Sequence, residues 1–266
     1  MIVRWNLTGR RDRHRERHTL ILSIGKSGRT WLRVLLNKFL SLRYNVPFEL
    51  GNLSKYSVDV PSIGYDHELW KHLSVATAAD RLRGKYLIPS GTLFSKKVIL
   101  LSRDPRDVVV SLYFQMTKRS NNKITSSLGD FLRHRKFGIR NIIRVMNVWR
   151  RRLKDHPHCL WLSYEDMRSD TAGELARIVD FIGIKDADAE QIKEAVDFAS
   201  FENMKKMETC GEFQKQSLRP GDPADADSFK VREGRVGGYK RHFSEQDLEY
   251  IKQSMRSLDE FYGYKN

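Results

Sequence analysis

The chain has 266 residues, 40% of them hydrophobic, with 13 Phe, 10 Tyr and 5 Trp, which is typical of one packed α/β domain and excludes disorder or two full-size domains. The formal net charge of +15 predicts an anionic partner, but the cations are dispersed and accompany no nucleic-acid-binding motif, so nucleic acid is not the expected partner. Two distant cysteines exclude a disulfide framework, and no run of about 18 apolar residues is present, so we predict a cytoplasmic protein without a transmembrane segment.

The first half of the chain alternates apolar runs with helical patterns. Residues 1–18 form a basic N-terminal lead, followed by a predicted buried strand at 19–24 and a helix at 29–43. A second short strand is predicted at 58–65, and a short helix within 68–83. This order predicts a basic lead, 1–18, followed by one α/β domain, 19–266.

The second half continues the same alternation. The clearest strand is 97–102, and Pro105 marks the start of the helix that follows it. A long helix is predicted over 131–153 and a third buried strand over 159–164. Further helices are predicted at 170–182, ended by Gly183, at 188–199, and at 244–258 with Ser244 as N-cap. Strands that alternate with helices indicate a single α/β domain with a mostly parallel central sheet.

The loop between the first strand and its helix carries a pattern suited to a phosphate. It reads Gly25-Lys26-Ser27-Gly28-Arg29-Thr30 and leads directly into the helix. A helix N-terminus offers unpaired backbone N–H groups, while Lys26, Ser27 and Thr30 add a charge and two hydroxyls. An ordinary strand-to-helix turn is the alternative interpretation. A Walker A loop, as in a P-loop nucleotide kinase, is not matched because Lys26 precedes Gly28.

A second element, Arg103-Asp104-Pro105-Arg106-Asp107-Val-Val-Val-Ser111, follows the strand at 97–102. An arginine at the carboxyl end of a parallel strand lies where ligands bind in open α/β sheets. Ser111 lies a little over two helical turns on, so both side chains could meet one phosphate. The alternative is a structural arginine that pairs with Asp104 or Asp107.

Both elements resemble those of sulfotransferases that use 3′-phosphoadenosine 5′-phosphosulfate (PAPS). The family's loop is P-K-[ST]-G-T-T-W, and five of its seven positions agree here, with Gly25 and Arg29 as the departures. Its second element is R-[ND]-P-[KR]-D-x-x-x-S, which fits throughout. The resemblance implies a P-loop-like sheet with helices on both faces. It also implies a 5′-phosphosulfate site at Lys26, Ser27, Gly28, Arg29, Thr30 and Trp31, and a 3′-phosphate site at Arg103 and Ser111.

Three further stretches are similar to the family, in the family's order. Tyr164 opens a Y-E-D element and is implied to lie near the adenine, and Phe201, in an S-F-x-x-M element, to stack on the purine. The stretch 229–240, FKVREGRVGGYK, is similar to R-K-G-x-x-G-D-W-K, which implies that Arg232, Glu233 and Gly234 return to the 3′-phosphate. Because Glu233 replaces the usual lysine, its backbone contacts could remain but the lysine's charge is lost.

The resemblance also implies a mechanism and its general base. A cation and hydroxyls beside the leaving phosphate stabilise its developing charge, and Lys26 and Thr30 have that position. In the family a histidine in a K-T-H element accepts the acceptor's proton. His67 is the candidate here, with Tyr65 in place of the usual lysine, and His72 is the second candidate.

PAPS is thus the expected donor, and adenosine 3′,5′-bisphosphate (PAP) is the expected product. No metal is expected to be required. The acceptor is a hydroxyl or amine of a small molecule, glycan or lipid, and its pocket is expected from residues 48–65, 69–93 and 118–137. A homodimer is left open, because a vertebrate dimer motif matches only at Lys240 and Glu249. The alternatives are a P-loop nucleotide kinase, or a non-catalytic binding protein that has kept the nucleotide fold.

Overall fold

The computed structural model describes residues 14–120, 124–211 and 218–264, so most of the predicted lead at 1–18 lies outside the described residues. The strands are Thr19–Ser23 (β1), Ile63–Asp66 (β2), Lys97–Ser102 (β3) and Cys159–Ser163 (β4). The helices are Arg29–Tyr44 (α1), Glu68–Ser74 (α2), Ala78–Leu82 (α3), Ser90–Phe94 (α4), Pro105–Phe114 (α5), Leu128–Arg133 (α6), Ile139–Leu153 (α7), Tyr164–Ser169 (α8), Thr171–Ile182 (α9), Ala189–Phe198 (α10), Phe201–Cys210 (α11) and Glu245–Met255 (α12). Within these ranges, no helix is both long enough and apolar enough to cross a membrane.

The four strands form one parallel sheet in the order β2-β1-β3-β4. Ile21 of β1 lies beside Tyr65 of β2 and Ile99 of β3, so the strands are closely in register. The order places the first and third strands of the chain at the centre, where every residue of β1 is buried. As a result, all four carboxyl ends lie along one edge of the sheet.

Helices cover both faces of this sheet, which confirms the predicted architecture. Because side chains alternate along a strand, Leu20 and Leu22 point into one apolar core while Ile21 points into the other. The first core includes side chains of α5, α7 and α12, and the second includes side chains of α1, α9 and α10. Burial on both faces explains why β1 and β3 read as continuous apolar runs.

Several predicted boundaries are confirmed by local signals. Gly183 ends α9 in the left-handed conformation, with a φ of 103°. The Ser244 hydroxyl accepts a hydrogen bond from the Asp247 backbone and caps α12. The Asp104 carboxylate caps α5, where Pro105 occupies the first turn. These caps act within a few residues, so a sequence pattern can identify them.

Three predicted elements are wrong in extent. The helix predicted at 131–153 is broken between α6 and α7. At the break, the Gly138 N–H donates to the carbonyl of His134. The turn is so tight that a Cβ on Gly138 would lie 2.4 Å from the Leu132 carbonyl oxygen. The strand at 58–65 begins only at Ile63. The strand at 159–164 ends at Ser163 and is a half-buried edge strand, not a buried one.

Candidate active site

One cavity of about 360 Å³ lies beyond the carboxyl edge of the sheet. The residues that follow each strand contribute to its wall: Gly25 after β1, His67 after β2, Arg103 after β3 and Tyr164 after β4. The carboxyl ends of parallel strands are the usual ligand position in such sheets. The predicted site residues that line the cavity are Lys26, Gly28, Arg29, Thr30, Trp31, His67, Arg103, Ser111, Tyr164, Phe201, Arg232, Glu233 and Gly234. Ser27 is fully buried and does not line it.

The loop after β1 is tightly turned against α8. Lys26 and Gly28 both have positive φ angles, 71° and 90°. A Cβ on Gly28 would lie 2.6 Å from Cδ2 of Tyr164, so only glycine fits this close approach. Gly28 provides no side-chain cap for α1, and the buried Ser27 hydroxyl has no hydrogen-bond partner among the described residues. The loop therefore presents polar groups of the kind that a phosphate satisfies.

Cations crowd the loop end of the cavity. Burial, followed by the charges of Lys230, Arg119 and Arg103, holds the pKa of Lys26 well below its usual range. The Lys26 ammonium donates to Oε1 of Gln115 at 3.2 Å. Burial, followed by Arg119 and then Arg29, lowers the pKa of Lys230 to about 7.

Arg29 is crowded in the same way. Burial, followed by the charge of Arg33, lowers the pKa of its guanidinium to about 10. Three side chains in this part of the cavity wall, Lys26, Arg29 and Lys230, thus have a lowered pKa with burial as the main cause. An anion bound here would reduce the electrostatic cost that these cations impose on one another.

Arg103 joins two walls of the cavity. Its guanidinium lies 4.2 Å from the centroid of the Tyr164 ring, donates to the carbonyl of Lys26 at 3.3 Å and to the carbonyl of Arg235 at 3.2 Å. The Asp107 carboxylate lies 3.9 Å from it. Asp104 pairs with Arg106 instead, at 2.7 Å. The arginine is therefore held in place while part of its guanidinium still faces the cavity.

Asp107 fastens the C-terminal segment to α5. Its carboxylate accepts hydrogen bonds from the backbone N–H groups of Gly237 at 2.7 Å and Tyr239 at 3.0 Å. In turn, Glu165 of the Y-E-D element accepts from the Asp104 backbone at 3.1 Å. Asp107 and Glu165 thus hold backbone segments of the cavity wall in place through hydrogen bonds.

The segment around Arg232 forms another part of the cavity wall. The Arg232 guanidinium lies 3.9 Å from the Phe114 ring centroid and donates to Oε1 of Glu233 at 2.7 Å. Arg241 donates to the other oxygen of the Glu233 carboxylate. Gly234 has a φ of 61°, and a Cβ there would lie 2.7 Å from the Phe201 ring. Glycine is again required, this time to bring the segment onto an aromatic side chain.

The aromatic side chains form a separate part of the wall. The rings of Trp31 and Tyr164 meet edge to face with centroids 5.6 Å apart. The Trp31 indole N–H donates to the carbonyl of Ala199 at 2.9 Å, just before α11 begins at Phe201. These contacts fix flat apolar surfaces beside the cations, an arrangement suited to a heterocyclic base.

The structure separates the two candidate histidines. His67 Nδ1 lies 2.9 Å from the carbonyl oxygen of Ser23, which can only accept, and 3.0 Å from the Ser23 hydroxyl, which can donate or accept. The carbonyl favours the tautomer with the proton on Nδ1 and the lone pair on Nε2. Burial, followed by the charge of Arg29, lowers the pKa of His67 to about 3, which keeps the ring neutral. His72 does not line the cavity, and its Nδ1 donates to the Lys85 carbonyl at 3.0 Å.

Sequence reasoning missed several cavity residues. Gln115 lies four residues after Ser111, so helical spacing could have identified it. Lys230 lies two residues before Arg232, in the segment whose residues 230–235 all line the cavity. Of the described residues in the stretches expected to bind the acceptor, Trp70 alone lines this cavity. In the described parts of the chain, no group of three His, Cys, Asp or Glu side chains is placed to hold a metal.

A protein-family model described as sulfotransferase domain matches residues 16–263. Sulfotransferase 2A6 of Rattus norvegicus is 31% identical over 169 residues, which are 60% of this chain and 56% of that protein. Sulfotransferase 2A2 of Mus musculus is 28% identical over 251 residues, 88% of this chain and 81% of that protein. The match thus spans little more than half the length of the rat relative.

Solved structures share the fold. Mouse sulfotransferase SULT7A1 complexed with PAP has a TM-score of 0.61 at 18% identity, covering 95% of this chain and 86% of that one. Retinol dehydratase in a complex with retinol and PAP has a TM-score of 0.61 at 20% identity, covering 91% and 83%. At these identities the likeness shows the architecture, a P-loop-like parallel sheet between two layers of helices.

Proposed function

The chain belongs to the sulfotransferase domain family, and from that premise we propose that it transfers a sulfuryl group from PAPS to a hydroxyl or amine of a small-molecule, glycan or lipid acceptor. The observation that carries this proposal is the cavity at the carboxyl edge of the sheet, where the cations of two family elements meet. Such a cavity fits a ligand with anionic groups at both ends.

The loop after β1 would bind the 5′-phosphosulfate of the donor. The turn at Gly28 and the uncapped start of α1 support this assignment, because both are suited to phosphate oxygens. Lys26 and Arg29 would supply charge, and Thr30 a hydroxyl.

The 3′-phosphate would bind at the other end, between Arg103, Ser111 and Arg232. Gly234 would contribute its backbone N–H, and Glu233 backbone groups only, since its carboxylate already pairs with Arg232 and Arg241. The rings of Trp31, Tyr164 and Phe201 would hold the adenine. This division supports PAPS over ATP, because ATP has no 3′-phosphate for Arg103 and Ser111 to bind.

In the proposed reaction, the bond between sulfur and the bridging phosphate oxygen breaks as the acceptor oxygen or nitrogen bonds to sulfur. His67 Nε2 would take the proton of the acceptor, since Nδ1 holds the ring through Ser23 and leaves the Nε2 lone pair available. Lys26 would stabilise the negative charge that develops on the leaving bridging oxygen.

The acceptor class is proposed broadly. One relative is named 3-beta-hydroxysteroid sulfotransferase, from Cavia porcellus, and is 30% identical over 171 residues, 62% of this chain and 56% of that protein. Hydroxysteroids therefore join phenols, sugars and glycolipids in the first screen. Trp70, next to the loop, adds an apolar surface near His67.

The experiment incubates the protein with radiolabelled PAPS and this acceptor panel, and measures label in the product together with PAP released. The proposal predicts transfer to at least one acceptor, lost in Lys26→Met and His67→Gln but kept in Lys206→Met, whose lysine is exposed on α11. PAP release that none of these substitutions affects would contradict the assignment of the site.

A further inference from the structure

Lys230 is placed in the cavity wall by a buried acidic side chain. Glu208 of α11 is fully buried, and its carboxylate accepts from the backbone N–H groups of Lys230 at 2.7 Å and Val231 at 2.8 Å. The Arg119 guanidinium donates to the same carboxylate at 2.8 Å. These bonds fix the backbone at Lys230, and its side chain lines the same cavity as Lys26.

The side chain lies at the loop end of that cavity. Among the charged groups that lower the pKa of Lys26, Lys230 has the largest effect, and Arg29 in turn lowers the pKa of Lys230. The contacts place Lys230 on the same side as Lys26: Lys26 donates to Gln115 at 3.2 Å, and Arg119, four residues after Gln115 in the same short helix, donates to the Glu208 carboxylate that holds the Lys230 backbone.

We infer that Lys230 is a binding residue for the sulfated 5′-phosphate of the donor, acting beside Lys26. The inference deepens the proposed function and rests on it. Glu233 stands where a lysine is usual, whereas Lys230, three residues earlier, lines the cavity.

A bound anion at Lys230 has a measurable consequence. In the free protein burial, followed by the charges of Arg119, Arg29 and Arg33, lowers its pKa to about 7, and Glu208 opposes this shift only in part. A phosphate beside the ammonium raises that pKa, so above neutral pH the protein takes up protons as the ligand binds. Lys26 contributes to the same uptake, and removal of Lys230 should therefore abolish only part of it.

The test compares Lys230→Met and Lys230→Arg with the wild type by calorimetric titration, with Lys206→Met as the matched control. The two probes are adenosine 3′,5′-bisphosphate and adenosine 3′-monophosphate, which differ only in the 5′-phosphate. Loss of one charge-assisted contact is expected to weaken bisphosphate binding by about tenfold to a hundredfold in Lys230→Met. The monophosphate affinity should stay within about twofold, and Lys230→Arg should keep most of the bisphosphate affinity.

Proton uptake gives an independent readout. Titrations at about pH 8 in buffers of different ionisation enthalpy should show fewer protons taken up by Lys230→Met than by the wild type. If Lys230→Met bound each probe as tightly as the wild type does, the inference would be overturned. It would also be overturned if Lys230→Met lost affinity equally for both probes, because an equal loss indicates a structural role. If the wild type binds neither probe, the proposed function itself fails, and the inference fails with it.

Discussion

The two ends of the cavity balance their positive charge in different ways. At the loop end, burial and neighbouring cations lower the pKa of Lys26, Arg29 and Lys230. At the far end, each arginine lies near a carboxylate: Arg232 lies 2.7 Å from Glu233, and Arg103 lies 3.9 Å from Asp107. Among the described residues, burial is therefore the main influence on the loop-end cations, whereas the far-end arginines lie beside carboxylates, with Glu233 shared between Arg232 and Arg241.

This difference suggests different contributions from the two ends. An anion at the loop end relieves repulsion between buried cations, so charge there should contribute most to binding and to stabilising a leaving group. An anion at the far end joins arginines that already have partners, so geometry and hydrogen bonds should decide which nucleotide fits. Substitutions can test the two ends separately.

The largest effect is expected from His67, which is kept neutral mainly by burial and then by the charge of Arg29. His67→Gln should lower kcat by about a hundredfold to ten-thousandfold with little change in donor affinity, because the general base is lost and the phosphate contacts remain. Steady-state kinetics with the best acceptor of the screen would measure it. An unchanged kcat would assign the base elsewhere.

The lowered pKa of His67 also predicts the acid stability of the fold. The ring has a pKa of about 3 when folded, against 6.5 in the absence of the fold, so the unfolded state binds the proton more readily between these values. The contribution to stability is therefore present above about pH 6.5 and is lost as the pH falls toward about 3. Denaturant unfolding from about pH 7 to about pH 4 should show a smaller loss in His67→Gln than in the wild type.

Lys26 should give the next largest effect. Lys26→Met is expected to lower kcat by about a hundredfold to a thousandfold, since a cation aimed at a leaving oxygen acts mainly in the transition state. Lys206→Met serves as the control in the same assay. If Lys26→Met changed only KM, the lysine would bind the donor without stabilising the leaving group. The conclusion that charge at the loop end contributes to catalysis would then be wrong.

Arg103 and Ser111 test the far end. Arg103→Ala should weaken the binding of adenosine 3′,5′-bisphosphate by about a hundredfold, because it removes a charged contact. Ser111→Ala should weaken the same binding by about tenfold, because it removes a neutral contact. The affinity for adenosine 5′-monophosphate, which lacks the 3′-phosphate, should fall far less in both variants. Equal losses for both nucleotides would place the 3′-phosphate elsewhere.

The smallest effect is expected from Glu233, and it has the opposite sign. Its carboxylate pairs with the Arg232 guanidinium, so Glu233→Gln should free that arginine and raise bisphosphate affinity by about threefold to tenfold. Glu202→Gln, an exposed change on α11, is the control. Weaker binding in Glu233→Gln would mean that the carboxylate positions Arg232 for the ligand.

Local sequence patterns predicted much of the fold and the loop end of the site. The apolar run of β1, the glycines of the loop and the cap of α5 depend on neighbouring residues, so their positions could be read directly. The break before α7 could not, because Gly138 turns against the carbonyl of Leu132 in a way that helical periodicity does not reveal.

The cavity role inferred for Lys230 was missed for a related reason. Its position depends on Glu208 and Arg119, which are 22 and 89 residues from their partners in the chain. Likewise, a short-range pattern could not show that the Asp107 carboxylate holds Gly237 and Tyr239. Contacts between distant segments determine which cations face the cavity, whereas short motifs determine which cations are available.

The central claim is that the cavity binds a nucleotide with a 3′-phosphate. Its most direct test is calorimetric titration of the purified protein with adenosine 3′,5′-bisphosphate, with ATP plus Mg²⁺ as the comparison. The account predicts that the bisphosphate binds at least about a hundredfold more tightly, and that Arg103→Ala removes most of this preference. Preference for ATP, or binding of neither nucleotide, would contradict it.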